Sequence, residues 1–308
     1  LNIETTNACN ARCCFCAYRK SRRKKEEMPI DLYEKIVAEY AEMGGGALLF
    51  TPITGDFFLD SKCIERIKIA RKYSNIATIS ATTNGIALNH IGKDNWKELL
   101  RDTDFLQFSV GGLDRAAYRR MFGVDKFDTV LTNIVEFAQM RNKIRASYPL
   151  RLIFRTSEKK EIVNSPLLKE LEALGYEILV DNSFGNWGGL ISKEDLPNNA
   201  ILKQNIPYTS KRSPCFVFFL GLCITSSGLA SACGCMNSEA IELIVGDLKH
   251  ESLKSVWNNK KYQKLKASFG SKAMPSICKK CSQYESGHEF STKAEVLNFK
   301  PGRYPFGY

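Results

Sequence analysis

Beyond residue 28 the apolar positions alternate between helical and strand spacing. Leu32, Ile36, Val37, Tyr40 and Met43 fall on one helical face behind Met28-Pro29-Ile30-Asp31, where Pro29 suits a helix start. Gly44-Gly45-Gly46 ends that helix, and Ala47-Leu48-Leu49-Phe50-Thr51 is a continuous apolar run, as in a buried parallel strand. The pattern then repeats. Helices are predicted near 61–73, 94–100, 114–141 and 165–174, and strands at 76–82, 105–110, 150–154 and 176–180. With the short β-like run Leu1-Asn2-Ile3-Glu4-Thr5, this makes six strands separated by helices, a parallel α/β sheet with too few units for a closed eight-stranded barrel. Past Val180 the alternation stops. Residues 182–214, rich in Gly, Asn, Ser, Lys and Pro, read as a long connection, and a last helical run covers 252–269.

A chain of 308 residues with 44% hydrophobic content holds one large α/β domain and a smaller one, and no run approaches membrane-spanning length. The chain opens on Leu1 inside the first strand, so residues are expected upstream, where a leader or a small docking domain would lie. The net charge of +11 permits a polyanionic partner. Its densest patch, Arg19 to Lys25, has six basic residues in seven and reads as a solvated loop, or more sharply as a clamp for a phosphate-bearing substrate or an acidic protein. It lacks the interleaved aromatics of a base-stacking surface, which disfavours nucleic acid. Eleven cysteines in spaced clusters point to metal rather than disulfides, hence to a reducing, cytoplasmic compartment.

Cys9, Cys13 and Cys16 are spaced CxxxCxxC directly after the first strand. Structural zinc and common iron–sulfur clusters take four ligands. A cubane held by three leaves one iron with an open position, where a metal site does chemistry. The rival readings are a half zinc site completed elsewhere, or scattered core cysteines. The spacing, with Phe15 before the last cysteine, resembles the radical S-adenosylmethionine (SAM) superfamily. That resemblance implies a partial (β/α)6 TIM-like barrel, open along one side, and a [4Fe–4S] cluster on Cys9, Cys13 and Cys16 whose open iron takes SAM. Phe15 is counted with the cofactor-binding residues.

Further expectations follow from the resemblance. Thr54-Gly55-Asp56-Phe57-Phe58 stands where relatives carry Gly-Glu-Pro, so Gly55 and Asp56 are expected near the methionyl amino group, with Asp56 one carbon shorter than the usual Glu. Thr83-Asn84-Gly85 is similar to a turn lining the SAM pocket, which singles out Asn84. Ser109-Val110-Gly111-Gly112 is similar to Ser-x-Asp-Gly, with Gly111 in place of Asp, and Ser109 is expected to hydrogen-bond SAM. Asp114, Tyr118 and Gly123 continue the segment in the family manner, but Phe122 replaces a common Arg. Arg120 is the stand-in for the carboxylate clamp, and Arg155 faces SAM or substrate. Glu4, Asp181, Asn182 and Trp187 are positional guesses for substrate contacts.

Towards the C-terminus, Cys215-x12-Gly228-x4-Cys233 precedes Cys278-x2-Cys281. Four cysteines can satisfy a metal completely, as a zinc ribbon or as a cluster. The arrangement resembles the SPASM/twitch appendage of radical SAM enzymes. It implies a second [4Fe–4S] cluster on Cys215, Cys233, Cys278 and Cys281, and with no cysteine after Cys281, the shorter twitch form. Cys223 and Cys235 compete as ligands, and Gly228 favours Cys215 with Cys233. The expected organisation is a core over 1–181, a connection over 182–214 and an auxiliary-cluster domain over 215–308.

The resemblance implies an enzyme that reductively cleaves SAM to a 5′-deoxyadenosyl radical and takes hydrogen from its substrate. The first expectation is net oxidation of a small polar substrate, a sugar or aminocyclitol-like compound, using the auxiliary cluster. Peptide modification is the second, and epimerisation the third, with Cys63, Cys223 and Cys235 as spare thiols and Cys14 without a role. The alternative from another class is a non-enzymatic iron–sulfur or zinc-binding electron-transfer protein. Expected partners are the small-molecule or peptide substrate and a reductase such as flavodoxin or ferredoxin.

Overall fold

The computed structural model describes residues 1–50, 53–234 and 241–287. The expected strand end Thr51, the thiol Cys235 and the C-terminal aromatics beyond 287 lie outside these residues. Six parallel strands form in chain order: β1 (Asn2–Ile3), β2 (Ala47–Phe50), β3 (Thr78–Thr83), β4 (Phe105–Val110), β5 (Leu150–Arg155) and β6 (Tyr176–Asp181). Helices α1 (Ile30–Glu42), α2 (Cys63–Arg71), α3 (Lys93–Asp102), α4 (Arg115–Phe122), α5 (Phe127–Ile144), α6 (Lys159–Val163) and α7 (Pro166–Ala173) connect them. This is the expected partial (β/α)6 barrel. All six residues of β5 are buried, as a strand covered on both faces requires.

Two helical readings change. Tyr33, fully buried, belongs to the core face of α1, whereas Met43 is 40% exposed. The helix expected over 114–141 is two helices, because Gly123 turns left-handed at φ +69°. A Cβ there would stand 2.5 Å from the carbonyl oxygen of Arg12. The break is the price of bringing the first cysteine loop against α4.

The connection after β6 holds two short strands, β7 (Ser183–Phe184) and β8 (Ile201–Leu202), paired with each other. The chain then returns to the main sheet. After a short helix α8 (Val217–Leu220), β9 (Cys223–Ile224) pairs in parallel with β1, and β10 (Leu229–Ser231) and β11 (Ile244–Asp247) extend the edge antiparallel. The sheet order is β11-β10-β9-β1-β2-β3-β4-β5-β6. The run expected over 252–269 is broken into α9 (Leu253–Asn258) and α10 (Lys260–Ala267), with Asn259 capping the second, and α11 (Ser276–Lys280) follows. No helix among the described residues is long and apolar enough to cross a membrane.

Candidate functional site

The loop after β1 is tied down from three sides. Met28 N–H donates to Thr5 O at 2.7 Å, Asn7 exchanges bonds with the 24–26 segment, and Arg12 and Cys14 N–H donate to Phe122 and Met121 carbonyls at 2.9 Å. Tyr18 Oη bonds both the N–H and the carbonyl of Cys9 at 3.0 Å. Held this way, the loop turns Cys14 into the apolar core and leaves Cys9, Cys13 and Cys16 half-buried. Those three act on one another: Cys13 responds to Cys16 and Cys9, and Cys9 to Cys16. Burial pushes the Cys9 thiol up to about 12, Cys16 up to about 11 and Cys13 well above its ordinary value. Thiols in this state stay protonated until a metal displaces the proton. Phe15 stacks on Phe184 at 5.0 Å and meets Phe122 edge-on at 5.6 Å, so its ring braces the loop.

The strand ends beside the loop interlock. Gly55 has φ +139°, and a Cβ on it would meet Thr6 O at 2.7 Å, so only glycine lets the β2 end approach the cysteine loop this closely. Asp56 N–H donates to Ala8 O at 2.8 Å. Its buried carboxylate accepts from Phe58 N–H at 3.1 Å, Thr83 Oγ1 at 2.9 Å and Asn84 N–H at 2.7 Å. Burial raises the Asp56 pKa, and these donors oppose it. Asn84 Nδ2 donates to Asn10 Oδ1 at 2.8 Å and lies 3.7 Å from Cys9 Sγ.

Other expected site residues divide. Ser109 is half-buried at the end of β4, and Arg155 at the end of β5 pairs with Asp181 at 2.6 Å. Arg120 lies exposed on α4 in an ion pair with Glu158. The two departures at 111 and 122 are one contact, since a Cβ at Gly111 would fall 2.7 Å from the Phe122 ring. A glycine lying under the Phe122 ring occupies the place where Asp and Arg were expected. The basic stretch is also largely committed. Lys20 pairs with Asp195 at 2.6 Å, Lys25 sits 3.7 Å over the Tyr18 ring, and Arg23 makes a two-pronged contact with Glu4. Glu4 is fully buried and accepts from Thr54 N–H and from Ser226 N–H and Oγ, each at 3.2 Å. It is a joint between the core and the C-terminal segment rather than a substrate contact.

The second thiol set also converges. Cys278 responds to Cys233, Cys281 and Cys215, and Cys281 to Cys233 and Cys215. Burial pushes Cys215 up to about 11 and Cys281 up to about 12. Cys223 is buried in β9, where it responds to Glu4 ahead of Cys233, and Cys63 is buried in the core on α2. The segment after β7 links the two sets. Trp187 Nε1–H donates to Phe15 O at 2.8 Å, while Asn186 bonds Ser282 N–H at 3.1 Å and Lys280 O at 2.7 Å. Trp187 is the one non-glycine described residue at positive φ, +49°.

Two observations bear on whether these residues suit metal groups. Among the described residues no three Cys, His, Asp or Glu side chains close to the spacing of a single ion, and a cubane holds its thiolates farther apart than one ion does. Tyr118 is fully buried, responds to Cys13, Asp56 and Cys9, and its hydroxyl has no partner among the described residues. A donor left unpaired beside thiols fits an anionic group there. Sequence reasoning passed over Glu4 as a joint, Asn186, and Lys211, a buried lysine against Cys278 and Cys281. Only tertiary contacts distinguish such residues from ordinary loop polar groups.

Residues 3–146 match the family model of the Radical SAM superfamily, and residues 215–282 match that of an iron–sulfur cluster-binding domain, SPASM. A GTP 3′,8-cyclase of Chlorobaculum tepidum is 28% identical over 132 residues, 42% of this chain and 38% of that protein. Its counterpart in Pasteurella multocida is 26% identical over 192 residues, 61% of this chain and 49% of that protein. The chain thus spans about half the length, or less, of these curated relatives. Among solved structures, BtrN in complex with AdoMet and 2-DOIA superposes with a TM-score of 0.60 at 16% identity, covering 93% of each chain. Native anSMEcpe with bound AdoMet gives 0.57 at 14% identity, covering 87% of this chain and 83% of that one. These two likenesses are likenesses of fold.

Proposed function

We propose a function for this chain, which belongs to the radical SAM superfamily and carries a SPASM iron–sulfur domain towards its C-terminus: SAM-dependent radical oxidation of a small polar substrate. In this reading Cys9, Cys13 and Cys16 hold a [4Fe–4S] cluster with one iron open to SAM. Cys215, Cys233, Cys278 and Cys281 hold a fully ligated auxiliary cluster. When bound, the core cluster and SAM supply a 5′-deoxyadenosyl radical for hydrogen abstraction, and the auxiliary cluster an acceptor for the electron that a net oxidation releases. The observation that carries the reading is the convergence of two thiol sets, one of three and one of four, linked through Asn186 and Trp187.

The chain's own residues orient and shield. Asp56 acts through the turns it holds, since its carboxylate already accepts from Phe58, Thr83 and Asn84. Asn84 and Tyr118 offer donors beside Cys9 and Cys13, and Phe15 with Phe122 and Phe184 covers the loop against water. Ser109 and Arg155 are proposed contacts to SAM or substrate. A sugar or aminocyclitol is the substrate class favoured, with a low-potential flavodoxin or ferredoxin as electron donor. The similarity to GTP 3′,8-cyclases supports a second reading, a purine nucleotide substrate. The burial of Cys63 and Cys223 lends no support to an epimerase with either as hydrogen donor.

Anaerobic reconstitution tests the core of this. About eight irons per chain are expected for two cubanes, with 5′-deoxyadenosine released under dithionite and none from Cys13→Ala. A Cys13→Ala variant that cleaves SAM at the parent rate refutes the assignment. Incubation with GTP and with an aminocyclitol panel, read by mass spectrometry, separates the substrate readings.

A further inference from the structure

We infer that Lys211 is the fixed counter-charge of the four-thiol centre, a positioning residue that raises the reduction potential of the group bound there. The inference rests on the reading of Cys215, Cys233, Cys278 and Cys281 as ligands of an auxiliary cluster. Lys211 follows the short turn Tyr208–Ser210 and has no solvent exposure. Its ammonium donates to Cys278 O at 2.8 Å, Cys281 O at 2.7 Å and Asn205 Oδ1 at 2.8 Å, with Lys279 O further off at 3.3 Å. Three donors thus meet three close acceptors, two of them on the turn that carries the last two thiols, which suits an ammonium better than a planar guanidinium.

Every one of those acceptors is neutral. Among the described residues no carboxylate stands at ion-pair distance from Lys211, whose close acceptors are two carbonyls of the Cys278–Cys281 turn and the Asn205 amide. A buried cation persists only when an anion compensates it. Four thiolates around an iron–sulfur cubane carry net negative charge, and one-electron reduction makes that charge larger. A cation held beside the ligand turn therefore stabilises the reduced form over the oxidised one. Burial, hydrogen bonding and net charge are the levers by which a protein sets such a potential, and Lys211 combines all three.

The test uses the full chain with Cys9, Cys13 and Cys16 all changed to Ala, so that a single cluster remains, reconstituted anaerobically and titrated by EPR. Lys211→Met is expected to keep about four irons per chain and to lower the reduction equilibrium at least tenfold, about 59 mV for one electron. Lys211→Arg is expected to stay within threefold of the parent. Lys211→Gln, which keeps a donor without the charge, should follow Lys211→Met. An unchanged potential in either uncharged variant overturns the inference. Should both uncharged variants lose iron, retention by Lys211→Arg supports a charge requirement, whereas loss in all three shows packing alone and overturns it. A parent that binds zinc and no iron refutes the cluster reading itself, and this inference with it, before any Lys211 variant is compared.

Discussion

Asp56 shows how a residue keeps its place while changing its task. Shortened by one carbon from the Glu that the resemblance leads one to expect, it directs its carboxylate inward to three donors that nothing else satisfies. Asp56→Ala strands those buried donors and is expected to cost about 3 kcal/mol or more, at 1–3 kcal/mol for each unsatisfied group, read as a fall in thermal midpoint. Gly55→Ala sets a Cβ 2.7 Å from Thr6 O at φ +139°. It is expected to lose about 1–3 kcal/mol and, because the affected neighbour is the cysteine loop, to weaken iron retention together with stability. The cysteines stood out in the sequence because their spacing is local, and Gly55 through the resemblance of the segment around it. The Gly111–Phe122 pair was legible only as two unrelated departures, since nothing in a linear chain says that position 111 lies under the ring of 122. The partner of Arg120 was hidden for the same reason: Glu158 stands 38 positions along the chain and meets it only in the fold.

Among the elements, those with four or more residues and a clear apolar period were readable, including β2 to β6, α2, α3 and α7, whereas α4 and α5 were read as one helix and the five-residue α6 was not read. Strands such as β7, β8 and β9 have two residues each, too few to show a period, and they exist because neighbouring backbone pairs with them. The short turn at Trp187–Gly189 is the most consequential of the unreadable segments. Asn186 holds the ligand turn after α11 through Ser282 and Lys280, and Trp187 holds the first cysteine loop through Phe15. Trp187→Phe removes one hydrogen bond worth about 1 kcal/mol, a small stability change. Its expected signature is uncoupling: more 5′-deoxyadenosine formed for each product molecule, measured by quantifying both in the same reaction. Equal ratios in variant and parent would leave the segment a mere packing element.

For the molecule as a whole, the two thiol sets divide the work under the proposed function. Cys278→Ala is expected to lower iron from about eight to about four per chain, to spare uncoupled SAM cleavage and to abolish turnover. Loss of cleavage as well would place the second set in the first step. The overall architecture was legible as six alternating units with a cysteine-rich appendage, because buried parallel strands are continuous apolar runs. The join between those parts was not. The appendage does not continue from β6 but extends the opposite edge of the sheet, where β9 pairs with β1 and β10 and β11 follow.

That pairing makes the first strand an interior one. With two residues and a neighbour on each side, β1 owes half its lateral support to backbone made more than two hundred residues later. During synthesis the amino-terminal thiols emerge early, yet their loop cannot be fully seated until the ribosome has delivered β9. Seating of the first set is in this sense deferred until Cys215, the first thiol of the second set, has also been made.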